Sequence, residues 1–269
     1  MKIYNLLSNK SLLFFSILLG TFLTFAIISS SKSSSYQQQN QENVIESDNQ
    51  FPVEDIRIGN KTKGFAVQSI RRQDNIIEIE LRNTYSKSIT AYQIYVGKQT
   101  IQTELLVNTD PEMILPGGSV HKQYPAHEEI KRRGITILAV LFDDHTGDGD
   151  PHYLKRLLQY REGMKMQRLR ALDAFQKVLD SGVTNVFEAL EQVVSEIPTL
   201  PEEEIKQLPQ QVQFGIKDER NRLQRVTRTL FNELRQSRSL KGTTQINVHL
   251  EHRKANSFIE KYKKTIQML

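Results

Sequence analysis

From Phe51 to Phe142 apolar and polar residues alternate, and after Pro151 the apolar residues return every three or four positions. The first period belongs to half-buried strands, the second to amphipathic helices. NIIEIELRN puts Ile77, Ile79 and Leu81 on one face and Glu78, Glu80 and Arg82 on the other. GFAVQSIRR, KSITAYQIYV, QTIQTELLV, GSVHKQY and GITILAVLF read as further strands, and IRIG as a short first one. Turn chemistry separates them at Asp74-Asn75, Asn83 to Lys87, Gly97-Lys98, Asn108 to Pro111 and Pro116-Gly117-Gly118. About seven short strands in roughly 90 residues predict an immunoglobulin-like β-sandwich over residues 53–143. ITILAVLF is apolar on both faces, so it is expected either in the middle of a sheet or with its second side covered.

Residues 144–269 predict a helical bundle. Leu154, Leu157, Leu158, Tyr160, Met164, Ala171, Leu172, Phe175, Val178 and Leu179 mark a helix of some 28 residues ending near Ser181-Gly182. VTNVFEALEQVVSEI predicts a second helix, stopped by Pro198. PEEEIKQL is a short turn of helix with proline first and glutamates where the helix dipole favours them. A long helix follows from about Gln210 to Ser237, striped by Leu223, Val226, Leu230 and Leu234, and a last one from about Asn247 to Met268 carries Phe258, Tyr262, Ile266 and Leu269. The expected class is therefore α+β, multidomain: a strand-rich unit followed by a helical one.

The first 52 residues follow neither period. Leu12 to Ile28 is an uncharged apolar run preceded by Lys2 and Lys10. At about 1.5 Å per residue it reaches nearly across a bilayer core. Residues 1–31 are expected to be a transmembrane anchor, or a signal peptide cut near Ser29–Ser31, with the chain beyond it extracytoplasmic. Residues 32–52 are rich in Ser, Gln and Asn and are expected to form a flexible linker.

Composition narrows the chemistry. The 269 residues include no cysteine, which excludes disulfides, thiolate nucleophiles and cysteine-ligated metals. Residues 1–150 carry 15 basic and 17 acidic side chains, residues 151–269 carry 21 and 14. The basic surplus lies on KDERNRLQRVTRTLFNELRQSR and the last helix, where it reads as a solvated face with anionic headgroups or an acidic protein as alternative partners. Aromatic interleaving is slight there and the chain is expected outside the cell, so nucleic acid is not an expected partner.

LFDDHTGDGDP, residues 141–151, is the richest candidate for chemistry. Asp143, Asp144, Thr146, Asp148 and Asp150 are the side chains that could ligate a hard cation such as Ca2+. Against a calcium loop of EF-hand type, counting from Asp144, threonine holds the third position and Lys155 stands where the bidentate carboxylate belongs. The structural reading is that Asp150 caps the helix, Pro151 opens it and Gly147 and Gly149 let the chain turn. His145 and His152 flank the loop, and His249 and His252 lie three apart on the last helix, without a fixed ligand geometry. No G-x-S-x-G, dinucleotide-binding glycine pattern, phosphate-binding loop or H-E-x-x-H occurs, and no catalytic or cofactor-binding residue is assigned.

In LRNTYSKSITAYQIYVG, ITILAVLFDDHTGDGDP and LKRLLQYREGMKMQRLRAL the chain resembles a group of exported or membrane-anchored bacterial proteins of the acidobacterial type. They join a small sandwich bearing an N-x-x-x-K-x-I-x-A-Y turn to a helical tail. The resemblance spans about residues 55–180 and implies architecture and export but no activity. The expected role is a membrane-tethered binding or scaffolding protein of the cell envelope, engaging an envelope protein or a second copy through its C-terminal helices. The alternative is a metal-dependent envelope hydrolase acting at residues 143–150.

Overall fold

The alternating segments all form strands. The computed structural model describes residues 52–107, 111–181, 192–193, 200–240 and 248–269. The strands are β1 (Ile58–Asn60), β2 (Phe65–Gln73), β3 (Ile76–Asn83), β4 (Ile89–Val96), β5 (Gln99–Glu104), β6 (Ser119–Pro125), β7 (Ile135–Phe142) and β8 (Gly147–Gly149). The helices are α1 (Glu128–Arg133), α2 (Pro151–Asp180), α3 (Glu202–Lys206), α4 (Gln210–Leu240) and α5 (Val248–Met268). The fold is mixed α+β. The expected apolar segment 12–28 and all of the expected linker but Pro52 lie outside the described residues, and of the expected second helix only 192–193 are described, both helical.

Three strands make one sheet in the order β2-β3-β6, and the other runs β1-β7-β4-β5 with β8 also on β7. β7 has β4 along one side; along the other it meets β1 in parallel at Ile135–Ile137 and β8 in antiparallel at Ala139–Leu141. The expected central strand is thus central. The two sheets share one core, in which Ile77, Ile79 and Leu81 of β3 pack with Phe65, Ile89, Tyr92, Ile94, Ile137 and Val140. Fully burying one such aliphatic side chain stabilises by about 1.5–3 kcal/mol. The second face of β4 and β7 is covered as well: Ala91, Ala139 and Leu141 pack on Leu157, Tyr153 and Leu154 of α2.

Two elements differ from the sequence reading. PAHEEIKRRG forms α1, because Ile130 reaches the core and Gly134, at φ 77, ends the helix by donating to the Ile130 carbonyl. The acidic stretch, expected as a loop, contributes β8. Gly149 (φ 119) makes this strand possible, since a Cβ there would sit 2.4 Å from the Leu138 carbonyl oxygen.

Asp150 opens α2 as expected: its Oδ1 accepts from the His152 N–H at 2.9 Å and Pro151 takes the first helical position. The buried face of α2 carries Leu157, Arg161, Met164, Arg168, Ala171 and Phe175, in steps of four and three. Leu158, expected in this stripe, is 45 % exposed, because it lies one residue off that path. α4 crosses α2 where their backbones touch: a Cβ on Gly163 would lie 2.1 Å from the Val212 carbonyl oxygen, and one on Gly215 2.1 Å from that of Tyr160. Farther along, Phe175 and Ala171 join Leu223 of α4 and Ala255, Ile259, Tyr262 and Ile266 of α5 in a second core.

Candidate functional site

Two groups of charged side chains are set by the fold, one at the acidic stretch and one inside the molecule. At the first, the two motifs singled out in the sequence come together. Asn83, fully buried, holds the turn after β3: its Nδ2 donates to the Lys87 and Ile114 carbonyls at 2.9 and 2.8 Å, and its Oδ1 accepts from the Tyr85 N–H at 3.0 Å. That turn aims Tyr85 and Lys87 at the acidic stretch. Lys87 Nζ lies 2.7 Å from Asp144 Oδ2 and donates to Thr146 Oγ1 at 3.0 Å. The Tyr85 hydroxyl donates to Asp148, which also accepts from the Lys63 N–H at 2.6 Å. Both side chains lean on Phe142, Tyr85 edge-on at 4.7 Å and Lys87 above the ring at 5.5 Å.

The electrostatics follow from these contacts. Lys87, then the Thr146 hydroxyl and N–H, hold the Asp144 carboxyl well below the usual carboxylate range. Burial works against the Asp148 charge, but the Tyr85 hydroxyl and the Lys63 and Gly149 N–H groups outweigh it and keep that carboxyl low. Burial, then Asp148, push the Tyr85 phenol up.

The carboxylates of Asp144, Asp148 and Asp150 therefore have separate partners within the fold. Asp144 is tied to Lys87 and Thr146, Asp148 to Tyr85 and Lys63, and Asp150 to the α2 N-terminus, while the Asp143 N–H donates to the Ser88 carbonyl. Among the described residues no three His, Asp or Glu side chains gather as a metal site. His145 stands at φ 64, a left-handed turn position, and the His152 ring packs edge-on against Tyr153. An open groove of ≈ 420 Å3 lies nearby, walled by Gln68, Arg82, Asn83 and Thr84.

The second group escaped the sequence reading. Arg161, with its side chain 3 % exposed, grips the equally buried Glu104 of β5 through Nε at 2.8 Å and Nη2 at 2.9 Å, and Nη2 also donates to Thr90 Oγ1 at 2.8 Å. One heptad on, Arg168 is fully buried and donates to Glu219 of α4 through Nε at 3.0 Å and Nη2 at 3.3 Å, and to the Leu106 carbonyl at 2.8 Å. Glu219 also accepts from Arg222 Nε at 2.8 Å and from the Tyr262 hydroxyl of α5 at 3.1 Å. Burial disfavours the Glu219 charge, yet Arg222 and Arg168 outweigh it and hold the carboxyl below its ordinary range. Burial and then Glu219 raise the Tyr262 phenol well above its ordinary value. Beside them the Tyr160 hydroxyl meets Asp218 at 3.1 Å.

These pairs join the β layer to three helices. Such bidentate, hydrogen-bonded pairs offset the cost of burying charge and fix one docking geometry. Among the described residues no helix is long and apolar enough to cross a membrane. The chain matches no protein-family model and no curated protein.

Proposed function

We propose that this protein is a membrane-tethered, extracytoplasmic binding or scaffolding protein of the bacterial cell envelope, its two-sheet layer an immunoglobulin-like sandwich bolted to a helical bundle. The observation that carries the reading is the commitment of the clustered charges. Arg161 with Glu104, Arg168 and Arg222 with Glu219, Lys87 with Asp144 and Tyr85 with Asp148 are all consumed in holding the fold. A catalytic acid or base needs a poised group facing a substrate space. Sheet edges, by contrast, have no further strand among the described residues: β6 and β2 end one sheet and β5 ends the other. Support for the sandwich label comes from the strand order, since β2-β3-β6 facing β5-β4-β7-β8 places consecutive hairpins in opposite sheets. Support for the tether is the uncharged run Leu12 to Ile28.

Cell fractionation tests it. The protein is expected in the membrane pellet, resistant to high salt and accessible to protease from outside the cytoplasmic membrane. Recovery in the soluble cytosol would remove the proposal.

A further inference from the structure

Among the described strand residues, one cation that faces the core has no ion pair. Lys122 lies on β6, directly opposite Ile79 of β3. Residues paired across a sheet face the same side, and Ile79 is fully buried in the shared core. Lys122 therefore points inward, into the seam between the two sheets, and its Nζ sits 6.0 Å from the ring centroid of Tyr92 in the opposite sheet. Its neighbours on the same face of β6, Val120 and Tyr124, pack against the core. Among the described residues no carboxylate pairs with it, and the exposed Glu112 reaches it only through its field. Burial lowers the ammonium's affinity for its proton. The Tyr92 hydroxyl is buried without a hydrogen-bond partner of normal geometry, the Thr103 side chain beside it, and burial pushes that phenol up to about 12. Among the described residues the seam thus holds a cation without an ion-pair partner and a tyrosine hydroxyl without a hydrogen bond of normal geometry, and no carboxylate enters it.

Among the described residues the strand carrying Lys122 has β3 on one side and nothing on the other: β6 is the last strand of its sheet. We propose that β6 takes up an extended peptide as an added strand, and that an acidic side chain of the peptide enters the seam to pair with Lys122. This rests on the reading of the protein as a binding module and names the chemistry of its partner. The geometry fixes a motif. A residue added opposite Lys122 faces the same way as Lys122, and those opposite Val120 and Tyr124 face the core. The recognised sequence is apolar-x-acidic-x-apolar, with the acidic residue at the centre. Main-chain pairing supplies affinity, and the carboxylate against Lys122 supplies selection.

The test uses the full-length chain in detergent and fluorescent heptapeptides Ser-Val-Thr-Xaa-Thr-Val-Ser, with Xaa as Glu, Gln or Lys, titrated by anisotropy. The Glu peptide is expected to bind at least about tenfold more tightly than the Gln peptide, and the Lys peptide more weakly still. Lys122→Gln is expected to erase the preference, and β6 amides are expected to gain exchange protection only with the Glu peptide. Equal affinities for Glu and Gln, or no binding by any of the three, would overturn the proposal. So would wild type ignoring the peptides while Lys122→Val self-associates, since the inward lysine would then be a guard against edge pairing. Envelope partners that cross-link equally to wild type and Lys122→Gln would sink this inference and leave the binding-module reading standing. A cytosolic location would do the reverse.

Discussion

Glu219→Gln removes the carboxylate that lies between the guanidiniums of Arg168 and Arg222. Arg168 and Glu219 have no exposed side-chain surface, and Arg222 has 11 %. With Glu219 ionised, the three side chains together carry one net positive charge. Glu219→Gln leaves two cations facing each other and an amide that can accept but no longer neutralise. Arg168→Met, of similar length, leaves the neutral pair Glu219–Arg222 with the Tyr262 hydroxyl still donating, and strands chiefly the Leu106 carbonyl. Removing one partner of a buried pair costs about 3–5 kcal/mol, and an unsatisfied buried carbonyl about 1–3 kcal/mol. Glu219→Gln is therefore expected near the top of the first range and Arg168→Met near its bottom. The double variant is expected to be more stable than Glu219→Gln alone, because Arg222 can then turn its charge toward water. In a chain of this size each kcal/mol moves the melting temperature by about 2–4 °C, so Glu219→Gln should lower it by about 10 °C or more. Urea unfolding followed by circular dichroism gives the three values. If Arg168→Met proves the worse single variant, or the double variant is worse than both, this account of the cluster is wrong.

Three further outcomes follow from named contacts. Gly163→Ala and Gly215→Ala are each expected to cost about 1–3 kcal/mol by forcing α2 and α4 apart, read by thermal denaturation; unchanged melting would show that the backbones do not touch. The depressed carboxyls of Asp144, Asp148 and Glu219 contribute stability that is fully present above their unfolded values of about 4, and that is lost as pH falls through the lower folded values. Asp148→Asn should flatten the acid limb of the stability–pH curve, and superimposable curves for variant and wild type would refute that. Millimolar Ca2+, Zn2+ or Mn2+ should leave the melting temperature unmoved, because Lys87 and Tyr85 already occupy Asp144 and Asp148. A rise abolished by Asp144→Asn with Asp148→Asn would instead establish a metal site there.

Much of the backbone was legible in the sequence, because alternation and three-four spacing are local properties. β2 to β7 fall where the strand pattern predicts them, and the two-sided apolarity of β7, which asks for a central place or a covered second side, meets with both. α1 was invisible because it has a single buried residue, Ile130, and one residue has no period. The acidic stretch drew attention for its carboxylates, yet its partners Tyr85 and Lys87 lie about 60 residues earlier, in a motif noted separately. Nothing local says that the two meet. The buried arginines are hidden from a reading by residue type, which follows only the apolar members of the α2 stripe. Traced by position, Leu157, Arg161, Met164, Arg168, Ala171 and Phe175 form one unbroken face, and the two arginines interrupt only its chemistry.

That face suggests how inward charge should be read in this fold. Arg161, Arg168 and Lys122 each occupy a position that periodicity assigns to the core, where a lone charge is costly. Arg161 and Arg168 find their anions within the chain, on β5 and α4, and at those points separate layers are locked together. A cation at a core position therefore marks a joint whose other half is an acid. Lys122 stands at such a position without the acid, half-buried where the two arginines are fully buried, and among the described residues its strand has no outer neighbour. If the rule that holds for the first two holds for the third, the missing half of that joint arrives on another chain. A Lys122→Met variant gives this an independent check. With no partner present it should melt above wild type, since it removes an uncompensated charge, whereas Arg161→Met and Arg168→Met should melt below it. Should Lys122→Met also melt lower, the ammonium already has its anion inside the chain and the joint is closed.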